Sequence, residues 1–242
     1  MIYTKNYKFS AFGEFDKIQP TPEVFEKLLQ QFGGKGFIPS LANELRVSPS
    51  DPQKSMAVRR VVLSNTNNEN VAILGNRIDY EFQYDQDYIL GKTEIEEILA
   101  KMHDVYSFLF DNFSVKSNRL AVNIDCYAIP KESDFKSILS KFLTPVDFIN
   151  SNDYVDYSVR ALIRKISAIN GSQENFNIIS TINLGDFNKA EKDEVKHMNG
   201  FVVHSDINTA AENIIYRFST ESISPFIEQA YEWWQDSLKG LY

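Results

Sequence analysis

Residues 77–84 read RIDYEFQY. Ile78, Tyr80, Phe82 and Tyr84 alternate with Arg77, Asp79, Glu81 and Gln83. A strict period of two sends the apolar side chains to one side of an extended backbone and the polar ones to the other. A strand of this kind is half buried, as in an antiparallel sheet with one wet face. The flanking segments repeat the pattern. Gly75-Asn76 reads as a two-residue hairpin turn, with VAIL (71–74) as the partner strand. The Asn-rich loop SNTNNEN (64–70) leads back to another strand, AVRRVVL (57–63), and YKFSAFGEF (7–15) reads as an opening strand.

Helical spacing interrupts the strands at a few places. TPEVFEKLLQQFGG (21–34) offers Thr21 as N-cap, Pro22 at the first helical position and Gly33 as a stop. Phe25, Leu28, Leu29 and Phe32 form its apolar stripe. A longer helix is expected near 93–112, with Thr93 and Glu96 as a capping box and Glu97–Lys101 as an exposed ion pair. NRLAVNIDCYAI (118–129) returns to a period of two, and a short helix with Phe135, Ile138, Leu139 and Phe142 follows. YSVRALIRKISAI (157–169) and NFNIISTINL (175–184) read as a hairpin joined by NGSQE. TAAENIIYRF (209–218) and SPFIEQAYEWWQDSLKGLY (224–242) are expected to be helical, the second starting from Ser224. The fold class is therefore α+β. The expectation is a mainly antiparallel sheet of six to eight strands, helices on one face and a C-terminal helix. One domain over 1–242 accommodates this, with subdomains 1–115 and 116–242 as the alternative division.

Composition narrows the function. A chain of 242 residues that is 43% hydrophobic can bury a self-sufficient core. Net charge is −8, and the short basic clusters Arg59-Arg60 and Arg160…Arg164-Lys165 form no tract, which argues against nucleic acid as a partner. The single cysteine, Cys126, permits no internal disulfide, and its alternation places it at a core position. The start MIYTKNYKFSAF lacks the pattern of a signal peptide, and no apolar run has the length of a membrane span. A cytoplasmic protein that does not engage a membrane is expected.

Candidate chemistry is sparse. In HMNGFVVHSDIN (197–208), His204 and Asp206 share one face of a strand, about 7 Å apart. They are the candidate metal ligands, or a base with its orienting acid. The plainer reading is a polar sheet face, with His197 in the turn before the strand. Asp79 and Glu81 form an Asp-x-Glu pair of the kind that holds magnesium, without the Glu-x-Lys element of the common nuclease core. His103 has no His or Cys at metal-binding spacing, and GGKG (33–36) lacks the spacing of a phosphate loop. No cofactor is expected beyond a divalent metal under the metal-site reading. Trp233 and Trp234 are candidate interface anchors, with a wide core face as the alternative.

The order NRLAVNIDCYAIP, YSVRALIRKISAINGSQENFNIISTINL, GFVVHSDIN and FSTESISPFIEQAYE resembles a sporadically distributed bacterial family of uncharacterised proteins. Asn123 and Cys126 depart from that family's more basic strand. The family carries no established active site, so the resemblance transfers no residue role. Its patchy occurrence implies mobile or phage-defence loci. Together these readings lead to a non-enzymatic protein that binds another protein or itself, with a metal-dependent hydrolase or nuclease as the alternative.

Overall fold

The computed structural model describes residues 2–48, 51–88, 92–142, 158–191 and 194–241. Its centre is strand β1 (Ile2–Gly13), which pairs antiparallel with β5 (Arg77–Tyr88) on one side and β6 (Ser117–Ala128) on the other. Beyond β5 lie β4 (Glu69–Ile73), β3 (Asp51–Ser64) and β2 (Ile38–Ser48). Beyond β6 lie β9 (Glu194–Thr209), β8 (Ser172–Glu191) and β7 (Ser158–Ile169). The result is one antiparallel sheet of nine strands in the order β2-β3-β4-β5-β1-β6-β9-β8-β7. This is one strand more than the upper expectation, and a single sheet runs through residues on both sides of position 115.

Four α-helices occur among the described residues: α1 (Pro22–Phe32), α2 (Lys92–Phe113), α3 (Glu132–Phe142) and α4 (Ile223–Leu238). They cover one face. Registered neighbours show which one, since Ala11, Leu120, Phe9, Val122, Tyr7 and Ile124 are paired across β1 and β6 and are all buried. Val122 and Cys126 lie opposite Ile207 and Val203 of β9. Onto this face α2 sets Tyr106 against Phe9 (ring centroids 4.9 Å apart), and α4 sets Phe226 between Phe9 and Phe176. Phe135 of α3 meets Phe201 at 5.4 Å. Burying rings of this size supplies much of the driving force for closing the layer.

Several local expectations change. Thr21 caps α1, accepting from Val24 N–H at 3.4 Å, but the buried stripe is Val24, Leu28 and Phe32. Leu29 stays 53% exposed, because only every third or fourth residue faces Phe37 and Phe108. The capping residue Thr93 lies outside the residues whose side chains are described. Lys101 does not serve Glu97. It binds the buried carboxylate of Glu69, which offers a desolvated partner instead of an exposed one. The β7–β8 connection is only Asn170-Gly171, so NGSQE mostly belongs to β8. His197 is inside β9, opposite Asn188, and not in a turn.

The largest correction concerns 209–218. Thr209 ends β9 and 210–217 is irregular. Arg217 explains this. Its guanidinium binds Glu174 through both oxygens (2.6 and 2.7 Å) and donates to the carbonyls of Asn118 (2.5 Å), Asn213 (3.1 Å) and Ile215 (3.0 Å). Two of these carbonyls, Asn213 and Ile215, lie within the expected helix and are held instead by one side chain. A single-turn 3₁₀ helix over Thr220–Ser222 then leads into α4, which starts at Ile223, one residue before the expected cap.

Candidate functional site

The opposite face of the sheet carries the candidate residues. Alternation along each strand and antiparallel register arrange them in rows. One row runs Asn6, Asp125, His204, Thr181 and Arg160. The next runs Lys8, Asn123, Asp206, Ile179 and Leu162. A third runs Asp79, Ser10, Ala121, Asn208, Asn177 and Arg164.

His204 and Asp206 do project to this common face, but they take different partners. His204 Nδ1 is hydrogen-bonded to Asp125, its registered neighbour on β6. This leaves Nε2 as the nitrogen that can act outward. Asp206 accepts from Asn208 Nδ2 at 2.9 Å, and Asn208 accepts in turn from Asn177 Nδ2 at 3.3 Å. Asp125 is visible in the sequence only as a polar-face residue. Its pairing with His204 depends on the β6–β9 register, across 79 positions of chain.

Asp79 and Glu81 belong to other networks. Asp79 is buried and accepts from Ser10 Oγ at 2.7 Å, with Lys8 Nζ at 3.1 Å and Arg77 Nε at 2.9 Å from its second oxygen. One hydroxyl donor and two paired cations leave it little capacity for a metal. Glu81 accepts from Asn6 Nδ2 at 3.2 Å and Gln83 Nε2 at 3.0 Å. Strands β1 and β6 lie between β5 and β9, so strand spacing alone puts Asp79 about 14 Å from His204. The two carboxylate-bearing elements do not form one centre. Among the described residues no group of three or more His, Cys, Asp or Glu side chains is placed to hold a metal ion. His103 is exposed on α2, 3.4 Å from Ser107 Oγ.

Cys126 is fully buried, and burial pushes its thiol up to about 12, with the Trp234 indole acting in the other direction. A thiol that hard to ionise is no nucleophile near neutral pH. Trp233 and Trp234 are 8% and 2% exposed. Trp233 packs edge-on to Phe176 at 4.9 Å, with Lys165 Nζ 5.2 Å from its ring centre, and Trp234 lies against Tyr231. Both indoles are core groups, which leaves little of either for a partner to reach.

Two features of this face had no sequence signal. A cavity of about 580 Å³ opens at the β7 end, lined by Arg164, Asn175, Asn177, Ala210, Glu212 and Asn213. At the other end Arg60, only 1% exposed, donates to Glu44 (2.6 Å) and Asp16 (2.5 Å), and Arg46 donates to the same Asp16 oxygen (2.7 Å). Hydrogen bonds from the two guanidinium groups hold the Asp16 carboxyl below its ordinary range. Burial pushes Glu44 up, but Arg60 and the Gly75 N–H outweigh it and the net shift is downward. Both clusters join segments distant in sequence.

Among the described residues no helix is long and apolar enough to cross a membrane. Compared with known protein families, curated proteins and solved structures, the chain matches none. The functional reading rests on the geometry of its own residues.

Proposed function

We propose that this is a binding protein that engages another macromolecule through the helix-free face of its sheet and the adjoining β7 edge. One observation carries the reading. Large apolar side chains are left in solvent on the helix-free side of β7 (Leu162 and Ile166) and on the irregular segment that follows the cavity (Ile214 and Ile215). Large apolar side chains exposed among polar groups mark interaction sites. The acids and histidine of the same face are instead bonded to neighbouring side chains, His204 to Asp125, Asp206 to Asn208 and Asp79 to Ser10, as supports of a surface. A role in a bacterial defence or mobile-element system is the biological setting that the sequence resemblance supports.

The test compares the wild-type chain with a Leu162→Asp, Ile166→Asp variant as baits, alongside light scattering. Retention of a stoichiometric partner, or self-association, by the wild type and its loss in the variant is expected. A strictly monomeric protein that retains nothing and turns over a substrate would sink the reading.

The hydrogen-bonded Asp125–His204 pair favours a second reading, metal-assisted or base-assisted hydrolysis, with Nε2 of His204 and the nearby Asp206 as the outward groups. Elemental analysis of purified protein and nuclease assays with magnesium or manganese test it. If His204→Ala changes neither metal content nor turnover, it fails.

A further inference from the structure

We propose that β7 is the docking edge for an acidic, extended segment of a partner protein, which adds antiparallel as a tenth strand. The inference deepens the binding-protein reading and rests on it. Strand β7 is twelve residues long and, among the described residues, pairs only with β8. Every second backbone N–H and C=O along its outer side is therefore available to an incoming strand. Main-chain pairing of this kind gives affinity, and alternate side chains give selectivity.

The side chains specify the occupant. Arg160, Leu162, Arg164 and Ile166 alternate on the helix-free face, since Leu162 is registered through Ile179 to Asp206. β7 also carries Lys165, and its sequence SVRALIRKISAI contains no acid. The pattern of cation, apolar, cation, apolar at every second position of one face is complementary to a strand that places carboxylates and aliphatic residues in turn at its own every second position. Arg164 adds an anchor. It lines the 580 Å³ cavity beside three asparagine amides, and among the described residues its only close carboxylate is Glu212 at 3.8 Å, with both side chains 72% exposed. An exposed pair that long is weak and is readily exchanged for an incoming carboxylate.

The same charges disfavour other occupants. Basic residues on an edge strand discourage pairing with like strands. The other edge, β2, also exposes Ile38, Leu41 and Leu45. Its charges are already committed, with Glu44 and Arg46 bound at the Arg60–Asp16 cluster, and Pro39 offers no N–H.

The experiment uses the full chain and a fluorescein-labelled peptide in which Glu and Val take turns at every second position with Thr between them (the Glu/Val peptide), read by anisotropy at low and high salt. Its Lys/Val counterpart, a Glu/Val peptide N-methylated on one edge, and oligothymidylate are the comparators. The Glu/Val peptide is expected to bind at least about tenfold more tightly than the Lys/Val peptide, with salt weakening it. N-methylation should abolish binding, and hydrogen exchange should show new protection in β7 but not in β2. Both arginines are exposed, so Arg160→Glu with Arg164→Glu should keep the wild-type circular dichroism and melting temperature. The double variant should invert the preference towards the Lys/Val peptide.

Equal binding of both peptides, protection confined to β2, or an unchanged preference in the double variant overturns the inference. So does tighter binding of oligothymidylate at these arginines, which makes the edge a nucleic-acid surface. A dimer in light scattering that the double variant dissolves assigns the edge to a second copy and overturns it too. If the peptide fails while Leu162→Asp, Ile166→Asp still releases the partner found above, only the acidic-strand inference falls. If both fail, the binding-protein reading falls with it.

Discussion

Gly75 has a backbone conformation open to any residue, so its missing side chain answers to space and not to torsion. A Cβ there would stand 1.6 Å from Arg46 Nη2, 2.5 Å from Arg60 Nη2 and 2.8 Å from Asp16 Oδ1. Arg46 is partly exposed and can swing away. Arg60 cannot, because it is buried and its Nε and Nη2 are bound to Glu44 and Asp16. Gly75→Ala is therefore expected to cost about 1–3 kcal/mol by overpacking, read from urea denaturation. Arg60→Ala should cost more, about 3–5 kcal/mol, since it removes the buried guanidinium that bridges Glu44 and Asp16 and leaves its volume empty. A loss under about 0.5 kcal/mol in either variant would mean that the cluster does not hold the turn. His204 is the contrasting case. Its ion-pair geometry with Asp125 is half exposed, and exposed pairs contribute little. His204→Ala should stay within about 0.5 kcal/mol of the wild-type stability, so any effect on binding or turnover reports on function and not on folding.

The β7–β8 hairpin turns on Asn170-Gly171, with φ of +49° and +79°. Both central residues are left-handed, as a type I′ turn requires, and this turn matches the twist of the flanking strands. Gly171→Ala keeps every contact, since no atom lies within 4 Å of the added Cβ, yet places a side chain where L-residues are strained. A cost of about 1–2 kcal/mol is expected, seen as faster amide exchange in β7 with little change in β1 or β6. Uniform acceleration through the sheet would show instead that the hairpin has no local stability of its own. The hairpin's existence was legible because two alternating runs flank an Asn-Gly pair. Its exact turn was not, because Ser172, Gln173 and Glu174 look like loop residues until Glu174 is seen to bind Arg217. The same ion pair hid the true state of 209–218. TAAENIIYRF has helical propensity and a capping box, and only a partner 43 positions away overrides them. Periodicity records which face a residue takes, so His204 and Asp206 were placed together from sequence. Register records which strands meet, so Asp125, Asn208 and the separation from Asp79 were not. Arg217→Lys tests the override, since lysine cannot reproduce the two-pronged contact with Glu174. Loss of about 2–4 kcal/mol with new proteolytic cleavage in 210–217 is expected. Wild-type stability and resistance would assign the segment's shape to other contacts.

Across the whole molecule, the first strand of the chain is the middle strand of the sheet. β1 joins β5, more than sixty residues on, to β6, more than a hundred on, so neither half of the sheet is complete until it inserts. The central strands are protected by two layers of neighbours, whereas β2 and β3 reach beyond β4. Only Val61–Ser64 of β3 is registered to β4. The rest of that arm is tied down by Arg60, which donates to Asp16, and by Glu44, which accepts from the Gly75 N–H. Both carboxyls titrate below their ordinary values in the folded chain, Asp16 through hydrogen bonds from Arg46 and Arg60, and Glu44 because Arg60 and the Gly75 N–H outweigh its burial. A depressed carboxyl contributes stability that is fully present above its unfolded value of about 4 and is lost as pH falls through the lower folded value. The arm is therefore expected to detach in acid before the centre of the sheet opens. Amide exchange measured between pH 6 and pH 3, corrected for intrinsic rates, should show protection lost in β2 and β3 while β1, β6 and β9 keep theirs. Asp16→Asn removes one of the two titrating groups. It should weaken the arm at pH 6 and flatten the dependence on pH below it. Simultaneous loss of protection across all strands, or an unaltered pH profile in Asp16→Asn, would place the acid sensitivity elsewhere than in the ion cluster that anchors the arm.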